Sequence, residues 1–269
     1  MRVEVLAVGR ELLIGKTVNT NAHWIGGRLA RMGTRLSRIT TVDDDLREIS
    51  SSVRESLRRK AEFQVVVGGL GPTPDDMTLE GIAKGLQRRL ALNREALKMV
   101  RDHYVEMGRG DLKITPARRK MARLPRGATP LKNRVGTAPG VRLEVGRTVI
   151  FALPGVPREM KSIFRDSLEG EIRRRLGRLH SRTTILKLKG ILESTLAPVL
   201  KKTMKKYPSV YIKSHPKGVE EGVSKIELDV VVVSKRKADS AKISEKIASE
   251  FKGEVAKAGG TVRSTIERS

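Results

Sequence analysis

The chain has 269 residues and no cysteine, and its 55 Lys and Arg outnumber 30 Asp and Glu for a net charge of +25. That length holds one large domain or two and buries a core without disulfides. The missing thiols exclude cysteine nucleophiles and thiolate metal sites. The charge favours polyanions, but it is spread along the chain, notably over Leu86–Val135 and Arg173–Lys189, and aromatics at 3% leave few stacking platforms for nucleic acid.

Val3–Val8 reads as a buried strand that turns at Gly9, with no signal-peptide layout before it. Asn21–Met32 sets Trp24, Ile25, Leu29 and Met32 at helical spacing and stops at Gly33. Leu36–Val42 reads as a second strand, ended by Asp43-Asp44-Asp45, followed by a helix from about Leu46 to Lys60 and a strand over Phe63–Val67. Alternating strands and helices of this kind give a mostly parallel sheet covered on both faces.

A glycine-proline loop over 68–74 leads to an expected helix near Asp76–Leu90, and a basic helical stretch runs on to about Met107. Thr115 and Pro116 form a helix start, cap and first turn. Val141–Val145 and Thr148–Leu153 read as strands joined by Gly146-Arg147, and Pro157 opens a helix reaching about Leu176. Beyond it a boundary is expected near Gly177–Arg182, dividing a domain over 1–176 from a small β-α-β-β-α unit over 177–269 with glycines only at its joints. Apolar runs such as Val230–Val233 fall far short of the roughly 18 residues a membrane helix needs. A soluble, cytoplasmic protein with no membrane partner is expected.

Gly9 to Thr17 ends in Gly-Lys-Thr but has five residues between its glycines instead of four, three of them bulky aliphatics, so it does not form a P-loop. Gly69-Leu70-Gly71 lacks the third glycine of a dinucleotide fingerprint. His23, His103, His180 and His215 show no metal-ligand spacing. The stretch Gly68-Gly69-Leu70-Gly71-Pro72-Thr73-Pro74-Asp75-Asp76 reads as a phosphate cradle, because its glycines let backbone N–H groups approach a ligand at a helix N-terminus. Asp75 and Asp76 either complement the helix dipole or recruit a divalent cation beside the phosphate.

Four stretches taken together resemble the competence/damage-inducible CinA family, a branch of the molybdopterin-binding (MoaB/MogA-like) fold. They are Gly9-Arg10-Glu11-Leu12-Leu13 with Asn19-Thr20-Asn21; Gly68 to Thr78; Asn133 to Gly140; and Leu153 to Met160. The resemblance implies a three-layer α/β/α domain with a mostly parallel sheet and a smaller α+β, KH-like second domain, without the amidohydrolase domain of longer members. It also implies that Gly68, Gly69, Gly71 and Thr73 hold phosphate and that Asp75 and Asp76 hold a divalent metal (Mg, Mn or Co) and act in catalysis. Asn133, Gly136, Pro139, Gly140, Pro154 and Gly155 line the pocket, which Glu11 and Asn21 close. Arg10 departs from the small, polar or acidic residue usual at its position; it grips a phosphate bidentately or repels a nearby metal.

The function expected from the resemblance is a metal-dependent pyrophosphatase acting on ADP-ribose, FAD or a similar dinucleotide, in a homodimer or larger homo-oligomer. Two alternatives remain open. One is a molybdopterin-binding or molybdopterin-adenylylating protein on the same fold. The other is a basic nucleic-acid-associated module, against which Gly218 to Gly222 is one residue longer than a Gly-x-x-Gly clamp and acidic.

Overall fold

In the computed structural model, residues 1–109, 113–177, 179–220 and 222–267 are described. They divide into two compact units, Met1–Arg28 with Arg35–Arg175, and Leu29–Thr34 with Leu176–Ser269.

The first unit is built on a six-stranded sheet in the order β2-β1-β3-β8-β7-β6. β1 (Val3–Val8), β2 (Leu36–Val42), β3 (Phe63–Val67) and β8 (Thr148–Leu153) run parallel, and β7 (Gly140–Val145) and β6 (Thr129–Leu131) complete an antiparallel edge. β1, β3 and β8 are buried along their whole length, as continuous apolar strands covered on both faces must be. Leu6, Val8 and Val66 point into a cluster with Ile49, Val53, Ile82, Ala96 and Val100. Those partners come from α3 (Leu46–Arg58), α4 (Thr78–Gly85) and α5 (Arg94–Glu106). Alternation sends Val5, Ala7 and Val65 to the opposite face.

The short α1 (Arg10–Leu13) follows β1, and that opposite side carries α2 (Thr20–Arg31) and a helical run from Pro157 to Leu176. The run consists of α7 (Pro157–Ile163), a π-helical turn (Phe164–Leu168) and α8 (Glu169–Leu176). Trp24 of α2 meets Phe164 edge-on at 5.3 Å between ring centroids. The three-layer α/β/α arrangement with a mostly parallel sheet is thus present.

Two expected boundaries differ. The helix expected near Asp76–Leu90 is shorter, because Gln87 adopts a left-handed φ of 54° and α4 ends at Gly85. The chain then forms β4 (Leu90–Leu92), paired with β5 (Arg123–Pro125), and α5 starts anew under an Asn93 cap that accepts from the Ala96 amide. Thr115 does cap α6 (Pro116–Lys120), accepting from the Arg118 amide.

The second unit holds β9 (His180–Lys189), α9 (Glu193–Lys206), β10 (Val210–Glu220), β11 (Val223–Ser234), α10 (Lys237–Lys257) and β12 (Thr261–Glu267). Its antiparallel sheet has the order β10-β11-β9-β12, and Leu186, Leu228, Ile247 and Phe251 centre its core. The β-α-β-β-α expectation omitted β12, which adds to the free edge of β9. Gly253 lies inside α10 and not at a joint. In the Gly218 to Gly222 stretch, Val219 pairs with Ser224 as the β10–β11 hairpin closes, and Glu221 lies outside the described residues.

Candidate functional site

Parallel strands deliver their C-terminal ends to one edge of the sheet. The chain reverses strand order there, placing β2 on one side of β1 and β3 on the other. A crevice opens at such a switch point. Here a cavity of about 250 Å³ is lined by Gly9 after β1, Asp44 after β2, Gly68 and Gly69 after β3, and Gly155 after β8.

The cavity gathers Glu11, Asn21, Gly68, Gly69, Asp75, Asp76 and Gly155 of the expected residues. Gly68 closes on the sheet, its amide donating to Leu153 O at 3.0 Å, and a Cβ there would lie 2.1 Å from Val8 O at a φ of +110°. Only glycine fits that backbone. Gly69 O accepts from the Thr78 amide at 3.2 Å and ties the loop to the start of α4.

Asp76 turns back onto its own loop. Its Oδ2 accepts from the Thr73 amide at 2.8 Å and the Thr73 hydroxyl at 2.5 Å, and it covers Gly71, where a Cβ would meet the same oxygen at 2.5 Å. Thr73 and Gly71 thus brace the loop and do not line the cavity. Asp75 is exposed, and the Thr73 hydroxyl, its own amide and the Lys120 ammonium hold its carboxyl below the ordinary aspartate value.

Asp44, read in the sequence only as part of the acidic cluster that ends a strand, is the acid missed. Burial raises its carboxyl above the ordinary aspartate value; the Arg10 amide, donating at 3.0 Å, opposes this, while Glu11, Asp43 and Asp75 add to the rise. The strand-end position was the available signal, since ligands sit at the C-terminal ends of parallel strands.

Arg10 resolves differently from either expectation. Its guanidinium lies on Asp43, Nε to Oδ1 at 3.0 Å, and Arg10 does not line the cavity.

The remaining expected residues lie elsewhere in the first unit. Asn133 is buried and fully bonded: Nδ2 donates to Ala138 O and Glu159 Oε2 at 2.9 and 2.6 Å, while Oδ1 accepts from the Val135 and Gly136 amides. Gly136 is closed by Glu159, 2.2 Å from where its Cβ would stand. Pro139, Gly140 and Pro154 are buried and do not line this cavity. This set organises the turn before β7 and the exit of β8.

Asn21 and Thr78 add unspent polarity. Asn21 Nδ2 donates to Gly155 O at 2.7 Å, whereas Asn21 Oδ1 is buried without a partner. Thr78 Oγ1 is likewise buried and unpartnered. Buried polar atoms are rarely left so; of these two residues Asn21 lines the cavity and Thr78 does not.

For a metal, the donor set is oxygen only, from Asp44, Asp75, Asp76 and Glu11. Among the described residues no three His, Cys, Asp or Glu are grouped tightly enough to hold an ion by themselves. An ion such as Mg²⁺ would take one or two of these carboxylates and complete its shell with water and substrate phosphate.

The comparisons agree with this geometry. The family model "Probable molybdopterin binding domain" matches residues 4–174. The crystal structure of the protein CinA, of unknown function, from Thermoplasma acidophilum is 43% identical, with a TM-score of 0.58 over 64% of this chain and 97% of that one. A Metallosphaera sedula protein is 44% identical over 259 residues, 96% of each chain, and an Aeropyrum pernix protein is 40% identical over 91% of this chain and 92% of its own length. A sheet whose strand ends and glycine loop frame one acidic cavity, matched over both its sequence and its fold, places this chain in the probable molybdopterin binding domain family, with CinA of T. acidophilum among its relatives.

Proposed function

We propose that the first unit is a divalent-metal-dependent pyrophosphohydrolase that cleaves the diphosphate of a dinucleotide such as ADP-ribose or FAD. The carrying observation is the convergence of Glu11, Asp44, Asp75 and Asp76 beside the glycine loop in one cavity. So many carboxylates around one space repel each other; burial is the main reason the Asp44 carboxyl is raised, and the charges of Glu11, Asp43 and Asp75 add to it. A cation relieves it.

Asp44 and Asp75 would hold the ion, which when bound would neutralise phosphate charge and acidify water. The chain's own residues do the rest. Gly68 and Gly69 let a phosphate approach the backbone, and Asn21 offers its free Oδ1 to a donor on the ligand. Asp76 keeps the loop folded through Thr73. We place this activity in the cytoplasm.

The test is product analysis after incubation with ADP-ribose or FAD, with Mg²⁺, Mn²⁺ or Co²⁺ or with chelator, beside an Asp75→Ala variant. Metal-dependent AMP release that the variant loses is the expected result; saturable binding without turnover in any metal overturns it. In that event the second reading, a molybdopterin-binding protein, takes over, since the family and the cavity support it equally.

A further inference from the structure

The glycine loop has a second concave side. A separate cavity of about 210 Å³ shares only Gly69 and Asp76 with the acidic one, and its charged lining includes Lys120 and Arg123. Lys120 of α6 donates through Nζ to the Thr73 carbonyl, which clamps the loop and leaves two ammonium hydrogens for another acceptor. Arg123, in β5, is exposed, and its guanidinium makes no hydrogen bond or ion pair with the described residues. Leu79 and Glu80 line the same cavity from the first turn of α4, whose first recorded helical bond runs from the Gly81 amide to Met77 O. The Leu79 and Glu80 amides therefore have no carbonyl partner inside the helix. Of the acids on this side, Asp76 is already engaged by Thr73, which leaves Glu80 as the free opposing charge.

Free cationic donors, helix-start amides and glycine backbone around one concavity make an anion site. We infer that this cavity is a phosphoryl subsite, formed by Arg123, Lys120 and the start of α4, that takes a phosphate of the ligand. The inference rests on the reading that the ligand carries a diphosphate, but not on its being hydrolysed.

The experiment is titration with methylenediphosphonate, which resists hydrolysis, in metal-free buffer at physiological salt, followed by calorimetry and by phosphorus NMR. Arg123→Gln should weaken binding by about tenfold or more, the loss of one charge-assisted hydrogen bond. Arg126→Gln removes the same charge from the adjacent turn without touching the cavity and should leave affinity within about twofold of wild type, as bulk charge at a distance is screened. Glu80→Gln should tighten binding. Thermal melts of each variant confirm that the fold is retained.

Equal losses in Arg123→Gln and Arg126→Gln, or no loss in Arg123→Gln, overturn the subsite. So does an oligonucleotide that binds in an Arg123-dependent way while the diphosphonate does not. Arg123-dependent diphosphonate binding in a protein that never releases AMP upholds the subsite while the hydrolase reading falls.

Discussion

The Asn21 side-chain amide donates to the Gly155 carbonyl at 2.7 Å, joining residues 134 positions apart and fastening the start of α2 to the exit of β8. Both residues line the acidic cavity, and the bond leaves Asn21 Oδ1 free at the cavity wall. Asn21→Ala should cost about 1 kcal/mol of stability, the net value of such a bond, and should weaken ligand binding. Asn21→Asp should lose more of both, because it turns a donor into an acceptor opposite a carbonyl and adds a negative charge beside Glu11 and Asp44. Denaturant melts and ligand titration measure both; an unchanged pair of variants would remove Asn21 from the site.

Two glycines at the same edge should respond oppositely. Gly68→Ala puts a methyl 2.1 Å from Val8 O at a φ of +110°, so a loss of about 3 kcal/mol or more is expected, as for other severe backbone clashes. Gly155 lies outside the left-handed region and its Cβ would stand 3.4 Å from Gly68 Cα, an ordinary contact. Gly155→Ala should therefore stay within about 1 kcal/mol. Chemical denaturation of the two variants side by side makes the comparison.

The neighbouring aspartates separate into brace and ligand. Asp76→Ala removes two exposed bonds to Thr73, whose amide and hydroxyl turn to water, and should cost about 1 kcal/mol. Asp75→Ala should leave stability within about 0.5 kcal/mol, since the residue is exposed, while removing metal-dependent turnover. A stability loss confined to Asp75→Ala would reverse this assignment.

Asp44 gives a pH and metal signature. Its carboxyl titrates above the ordinary aspartate value, so the folded state holds that proton more tightly than the unfolded state. Stability contributed by the protonated form is present at low pH and lost as pH rises through the window from the ordinary value to the raised one. Asp44→Asn should raise the melting temperature at neutral pH, and Mg²⁺ should stabilise the wild type more than the variant. A calorimetric scan in which Mg²⁺ stabilises both equally would place the ion away from Asp44.

Glu169 behaves in the opposite sense. Burial raises its carboxyl, but Arg28 at 2.8 Å through two bonds, and Arg173, more than offset this and hold it below the ordinary glutamate value. The stabilisation is full above the unfolded value and is lost as pH falls through the folded one. Glu169→Gln should flatten the acid limb of the stability profile. Arg28→Met should cost about 2 kcal/mol at neutral pH, between the values for exposed and buried pairs. Urea midpoints from acidic to neutral pH check both.

The local signals in the chain were strong where one residue type does one job. Apolar runs placed β1, β3 and β8, the Thr115-Pro116 pair marked a helix start, and three closely spaced glycines before Asp75 and Asp76 marked the ligand loop. The end of α4 was illegible because Gln87 takes a left-handed conformation that no propensity at glutamine suggests. β12 escaped because Thr261–Glu267 carries no apolar run; it exists through its pairing with β9.

The sequence alone therefore determined the parallel α/β layering and the loop that approaches a ligand, because strand burial and glycine backbone freedom are properties of short segments. Tertiary structure decided which distant groups meet there. Parallel pairing of β2 with β1 carries Asp44 to the same edge as Gly9, and α6 brings Lys120 onto Thr73 from 47 residues away. It also turned Asn133 and Gly136 from expected pocket lining into the frame of a neighbouring turn, with Glu159 filling the space beside them. Such pairings follow from sheet order and helix packing, and periodicity along the chain carries no record of them.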